Sequence, residues 1–163
     1  MSDAAEQAKL ETAGDEVAHL LARQLYYPCV LLTQTDVGRL DTAGRYLSER
    51  FGWPMLSMGD QLSVALLEIA PRRRPRVAGQ AVAEAVGRLA PGPIVCSYID
   101  LLFEPTLELD PLRLLREASR LAPLVVLWPG QHQERTLSYA APEHAHYRTW
   151  RQTELCDGCI MGL

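Results

Sequence analysis

The sequence predicts an α/β domain in which a mostly parallel sheet is flanked by helices. Short, continuous apolar runs recur at residues 29–32 (CVLL), 54–58 (PMLSM), 91–97 (PGPIVCS) and 124–128 (LVVLW), the pattern of strands buried on both faces. Stripes of apolar residues at helical spacing separate them, and strands alternating with helices imply parallel pairing. The chain has 163 residues, 48% of them hydrophobic, enough for one domain with a substantial core and too few for two ordinary ones.

The first residues, MSDAAEQAKLETAGDE, are polar and acidic, and residues 1–14 are expected to be a flexible segment preceding a domain at 15–155. Val17, Leu20, Leu21 and Leu25 then form the apolar stripe of a lead helix, which Pro28 stops. After the first strand, Leu40, Ala43, Tyr46, Leu47 and Phe51 mark the inner face of a second helix that ends at Gly52. Leu62, Ala65, Leu66 and Ile69 mark a third, and the segment PRRRP joins it to a fourth, VAGQAVAEAVGRL. Asp110 and Pro111 read as the N-cap and first residue of a further helix carrying Leu112, Leu114, Leu115, Ala118 and Leu121. The strand at 124–128 is expected to end at Pro129-Gly130, and RTLSY at 135–139 to form a short edge strand. Residues 156–163 read as an exposed tail.

The net charge of −4 gives no overall attraction to nucleic acid or membranes. A local basic patch, Arg72, Arg73, Arg74 and Arg76, is the candidate nucleic-acid contact, set against the reading of a solvated hinge. No apolar run approaches the ~20 residues of a membrane span, and the N-terminus has the reverse of a secretory signal's charge, so a cytoplasmic location is expected. There the four cysteines are expected to be thiols or ligands. Cys29 and Cys96 lie in strand-like runs as small buried hydrophobes. Cys156-x-x-Cys159 has the spacing of half a zinc site, with His132, His144 and His146 upstream. A thioredoxin-type role is set behind these readings, because the pair does not lead into a helix following a strand.

Residues 30–51 place a strand, a short turn and a helix in the layout of a phosphate-binding loop. Such a loop needs glycines to bring backbone N–H groups around phosphate, a lysine to neutralise it and a hydroxyl to hold magnesium. The corresponding residues are Thr33, Gly38, Arg39 and Leu40. Arg39 keeps a cation without being a conservative replacement for lysine, and Leu40 has no oxygen for magnesium. Asp36 adds a charge that would oppose a polyphosphate by roughly 1 to 4 kcal/mol. At the third strand, Ser97 stands where a magnesium-ordering carboxylate is needed, and the first acid is Asp100, read as a turn or capping residue.

The segments LLFEPTLELDPLRLLREASR, LVVLWPG and LSYAAPEHAHY resemble the BrxF family of small P-loop proteins from type 3 BREX bacteriophage-defence systems, and the resemblance runs in order through residues 17–150. It implies a single P-loop NTPase-like domain in a defence complex. The departures fall at the nucleotide site, where a glycine-rich loop ending in lysine and a hydroxyl residue, and an Asp-Asn-x-Glu segment, are replaced. The expectation is a subunit without nucleotide hydrolysis that binds partner proteins, with Thr33, Gly38, Arg39 and Asp100 as the residues left to face a nucleotide. No catalytic or metal-binding residue is assigned. The reading requires no cofactor, leaves room for ATP bound without hydrolysis, and leaves self-association open. Two alternatives stand beside it: an active ATPase or nucleotide switch using Arg39 and Asp100, and a nucleic-acid adaptor acting through the four arginines. The segment around Trp128, Pro129 and Gly130 is a further expected contact surface.

Overall fold

A computed structural model describes residues 2–163. Cys29–Gln34 forms the first strand, β1, and is buried through Thr33. It lies inside the sheet, between β4 and β7, and both of its faces are apolar. Val30 and Leu32 point to one side of the sheet, Cys29 and Leu31 to the other. The same two-residue alternation continues on β3 (Ile94–Ser97) and β4 (Leu124–Gln133), so two cores form, one on each face.

Helices α1 (Ser2–Leu21) and α2 (Val37–Phe51) cover the face of Val30, Leu32, Val95, Val125 and Leu127. Helices α3 (Met58–Leu66), α4 (Arg74–Arg88) and α5 (Pro111–Ala118) cover the opposite face. With β2 (Met55–Ser57) and β7 (Ile160–Gly162), the parallel strands run in the order β2-β3-β4-β1-β7. Strands β5 (Thr136–Tyr139) and β6 (Arg148–Trp150) extend β4 in antiparallel fashion. The molecule is thus an α/β protein with a mostly parallel sheet between helical layers, as the sequence predicts.

Helix α2 shows how local sequence sets its bounds. Asp36 caps its start, and Gly52, at φ 70°, adopts the left-handed conformation that ends it with a bond from its N–H to the Ser48 carbonyl. Leu40, Ala43 and Leu47 are buried against the sheet as predicted, and Tyr46 and Phe51 lie at the margin.

Several expectations are corrected. The segment expected to be flexible, residues 1–14, is helical from Ser2, and α1 stops at Leu21, before Leu25 and Pro28. Polarity suggested disorder, but alanine, glutamate, glutamine and lysine are strong helix formers, and Gln7 donates one turn ahead to Glu11. Arg50 of α2 fastens this helix by donating to the Glu11 carbonyl at 3.1 Å and pairing with Asp15. The expected tail at 156–163 instead contains β7, which pairs with β1 through Leu31, Leu32 and Thr33, and Cys159 is fully buried. Leu121 lies past the end of α5 and is exposed.

Strand β4 does not end at Pro129-Gly130. It pairs in parallel with β1 as far as Pro129 and then continues as one arm of an antiparallel hairpin with β5, opposite Tyr139 at Gly130. A Cβ on Gly130 would lie 1.8 Å from the Ser138 carbonyl oxygen, so only glycine lets the strands approach here. That same carbonyl accepts a bond from the Trp128 indole at 2.9 Å. Trp128 is wholly buried and Gly130 is buried beside it, so this segment is core and not the contact surface expected. Trp128, Phe103, Tyr139 and Trp150 form one aromatic cluster, with Phe103 and Tyr139 stacked at 3.6 Å.

A disulfide joins Cys156 and Cys159, where thiols or ligands were expected. Cys29 and Cys96 are free and buried, and burial pushes both thiols up to about 12.

Candidate functional site

The connections after β1 and β3 leave the sheet toward opposite faces, the first into α2 and the second toward α5. In such sheets ligands usually bind outside the carboxyl ends of the strands, near where the winding reverses, so the residues at the ends of β1 and β3 are the ones to consider.

Only Thr35 and Asp36 separate β1 from α2, a turn too short to wrap a phosphate in the way a glycine-rich loop does. Its N–H groups are already occupied. The Gln34 side-chain oxygen accepts from Thr35 N at 3.0 Å and from Asp36 N at 3.2 Å. The Asp36 carboxylate accepts from Gly38 N at 2.9 Å and from Arg39 N at 3.3 Å. A helix N-terminus would otherwise offer these donors to an anion. Here two side chains of the protein take that place. The Gln34 amide N–H in turn donates to the Leu163 carbonyl at 3.0 Å, which fixes its orientation.

The four residues expected to face a nucleotide are each engaged elsewhere. The Thr33 hydroxyl donates to the Met161 carbonyl at 3.2 Å. The Gly38 N–H is held by Asp36. Arg39 pairs with Glu6 of α1 at 3.4 Å and lines a groove of about 460 Å³ between α1, α2 and β7. Asp100 accepts the Tyr139 hydroxyl at 2.8 Å beneath the aromatic cluster, and burial together with this bond raises the tyrosine's pKa well above its ordinary value. Leu40 is buried on the face of α2 that packs against the sheet, and Ser97 is buried and bonded to the Leu56 carbonyl at 3.4 Å.

The structure adds a residue that sequence reasoning passed over. Tyr98, at the carboxyl end of β3, has φ 53° and remains half exposed. Its hydroxyl donates to Asp41 of α2 at 3.0 Å, and that bond raises its pKa. The bond ties the end of β3 to the first turns of α2. No local pattern announces it, since a left-handed tyrosine depends on its tertiary setting.

Of the basic patch, Arg72, Arg73 and Arg76 are exposed, whereas Arg74 turns inward and donates to the Ile69 carbonyl at 2.9 Å. The 3-10 turn Pro71–Arg73 leads straight into α4, whose first turn contains no acid. Among the described residues, no group of three or more His, Cys, Asp or Glu side chains is gathered as a metal site, and no helix is long and apolar enough to cross a membrane. Comparison with family models, curated proteins and solved structures finds no match to this chain.

Replacing Asp36 with alanine removes the cap of α2 and is expected to cost about 1 kcal/mol of stability, read as a lower urea midpoint with an unchanged slope. A midpoint equal to wild type would mean that the carboxylate does not hold the turn.

Proposed function

We propose that the chain is a P-loop-like subunit of a bacterial phage-defence assembly that does not hydrolyse nucleotide and acts by binding partner proteins. The observation that carries this reading is the occupation of the β1–α2 turn by Gln34 and Asp36, which take up the N–H groups of Thr35, Asp36, Gly38 and Arg39. The resemblance of residues 101–147 to BrxF-type sequences supports the assignment to a defence system. Leu40 has no oxygen for magnesium, and Ser97, buried and bonded to the Leu56 carbonyl, lacks the carboxylate that hydrolysis requires at its position.

The ATPase reading asks Arg39 and Asp100 to serve a nucleotide, whereas Asp100 accepts the Tyr139 hydroxyl and Arg39 lies at the surface beside Glu6. Calorimetry separates the two. The expected result is no binding heat for ATP, ADP or GTP at millimolar concentration, with or without magnesium. Magnesium-dependent binding in the micromolar range would overturn the proposal. For the assembly, the expected result is co-purification with the other subunits of a BREX-like system when they are co-expressed, and failure to co-purify counts against it.

A second reading, binding to nucleic acid, is favoured by one feature. Four arginines crowd the start of α4, where each opposes the helix dipole, an arrangement that helix stability does not select. If they bind phosphates, affinity for duplex DNA falls steeply with salt. Neutralising Arg72, Arg73 and Arg76 together then lowers that slope by roughly 3. A slope unchanged in the triple variant removes this reading and leaves the first untouched.

A further inference from the structure

Cys156 and Cys159 sit unequally in the fold. Cys159 is fully buried, and its carbonyl accepts the Leu31 N–H at 2.7 Å, which places it in the core beside β1. Cys156 is half-buried and lines a cavity of about 440 Å³, together with His132, Arg135, Arg151, Asp157 and neighbouring backbone. Among the described residues neither Arg135 nor Arg151 enters an ion pair, and Asp157 is the one acid lining this cavity. The segment before the pair is pinned to α5, where Arg116 donates to the Thr153 carbonyl at 2.8 Å and pairs with Glu154 at 2.9 Å. The segment after it is pinned by β7.

One sulfur at the rim of a cationic pocket, with its partner sealed behind it, is the arrangement thiol–disulfide exchange requires. The accessible sulfur meets the incoming thiol, the buried one departs as the leaving group, and nearby cations attract an anionic thiolate. We propose that Cys156 and Cys159 form a thiol–disulfide exchange site that takes carboxylate-bearing thiols, with Arg135 and Arg151 drawing in the anion.

In the first step the thiol, as thiolate, attacks Sγ of Cys156. A new S–S bond forms there, the Cys156–Cys159 bond breaks with its electron pair on Cys159, and the proton shed by the thiol ends on the Cys159 sulfur. A second thiol attacks the sulfur of the first, releases an external disulfide and leaves Cys156 reduced. Two external thiols are thereby oxidised and one protein disulfide is reduced. The chemistry is independent of the nucleotide question and rests on different residues.

The test uses the full chain, air-equilibrated, treated with glutathione or with cysteamine at equal thiolate concentration. Alkylation and peptide mapping follow the appearance of free Cys156 and Cys159, while Cys29 and Cys96 serve as buried controls. Glutathione, which carries carboxylates, is expected to reduce the pair faster than the cationic thiol by on the order of tenfold at low salt. The preference shrinks with added salt and disappears in an Arg135→Gln/Arg151→Gln variant, whose changes lie on the surface. A Cys159→Ser variant treated with oxidised glutathione is expected to exchange its free Cys156 thiol for a glutathione adduct that stays on Cys156, releasing one reduced glutathione per chain. Equal rates with the two thiols, a preference unaltered in the double variant, an adduct confined to Cys159, or free alkylation of both cysteines before any thiol is added would each overturn the proposal. Because charge selectivity is read on the wild-type chain, a Cys159→Ser protein that fails to fold leaves the test intact.

Discussion

Gly130→Ala is expected to destabilise the protein by about 3 kcal/mol or more, well beyond the usual cost of adding a methyl group. The added carbon would lie 1.8 Å from the Ser138 carbonyl oxygen, and backbone cannot move aside as a flexible side chain can. Relief demands that β4 and β5 separate. That would cost the Trp128 indole its acceptor and loosen the stack of Phe103 on Tyr139. Chemical denaturation should show the fall in midpoint, and tryptophan emission should shift to longer wavelength before global unfolding. A variant with wild-type stability would mean that the hairpin is not packed against the indole as described.

Removing residues 156–163 is the second large effect. Cys159 and Met161 are buried on β1's flank, and Thr33 and Gln34 use their side chains to bind carbonyls of Met161 and Leu163. Losing two or three buried side chains at about 1.5 to 3 kcal/mol each makes a loss of about 4 kcal/mol or more the expected result. The newly exposed edge of β1 should also promote self-association. Deleting residues 2–5 makes the informative contrast. These residues are exposed, so a loss below about 0.5 kcal/mol is expected. Similar losses from the two truncations would contradict the place of β7 in the sheet.

The elements easiest to read were those whose signals are local. CVLL announced β1, the stripe of Leu40, Ala43 and Leu47 announced α2, and Gly52 marked its end. Strand β7 carried no such signal. Three residues following a Cys-x-x-Cys pair look like a tail until β1, far away in sequence, supplies hydrogen-bond partners. The first half of α1 is polar, which reads as flexible, yet its helix propensity prevails, and its fastening by Arg50 is again long-range. At the site, the missing magnesium ligand at Leu40 could be read from residue type alone. The role of Gln34 could not, since an amide that bridges a turn and a distant carbonyl is defined only by the folded geometry. Asp36 was legible as an obstacle to phosphate, and the structure adds that it occupies the donors itself. Asp100 was expected in a turn, and it begins a 3-10 turn there, but its bond to Tyr139 was beyond sequence reasoning.

The pairing of β1 with β7 also bears on how the chain comes to be folded in time. The bond from Thr33 to Met161 spans 128 positions, so one side of this interior strand waits for its neighbour until nearly all of the described chain has been synthesised. Closing so long a span is slow. During that interval, an apolar strand with unpaired N–H and C=O groups is open to any other nascent chain. A protein arranged in this way depends on what shields β1 while it waits, whether a chaperone or an early-formed α1 lying against its face.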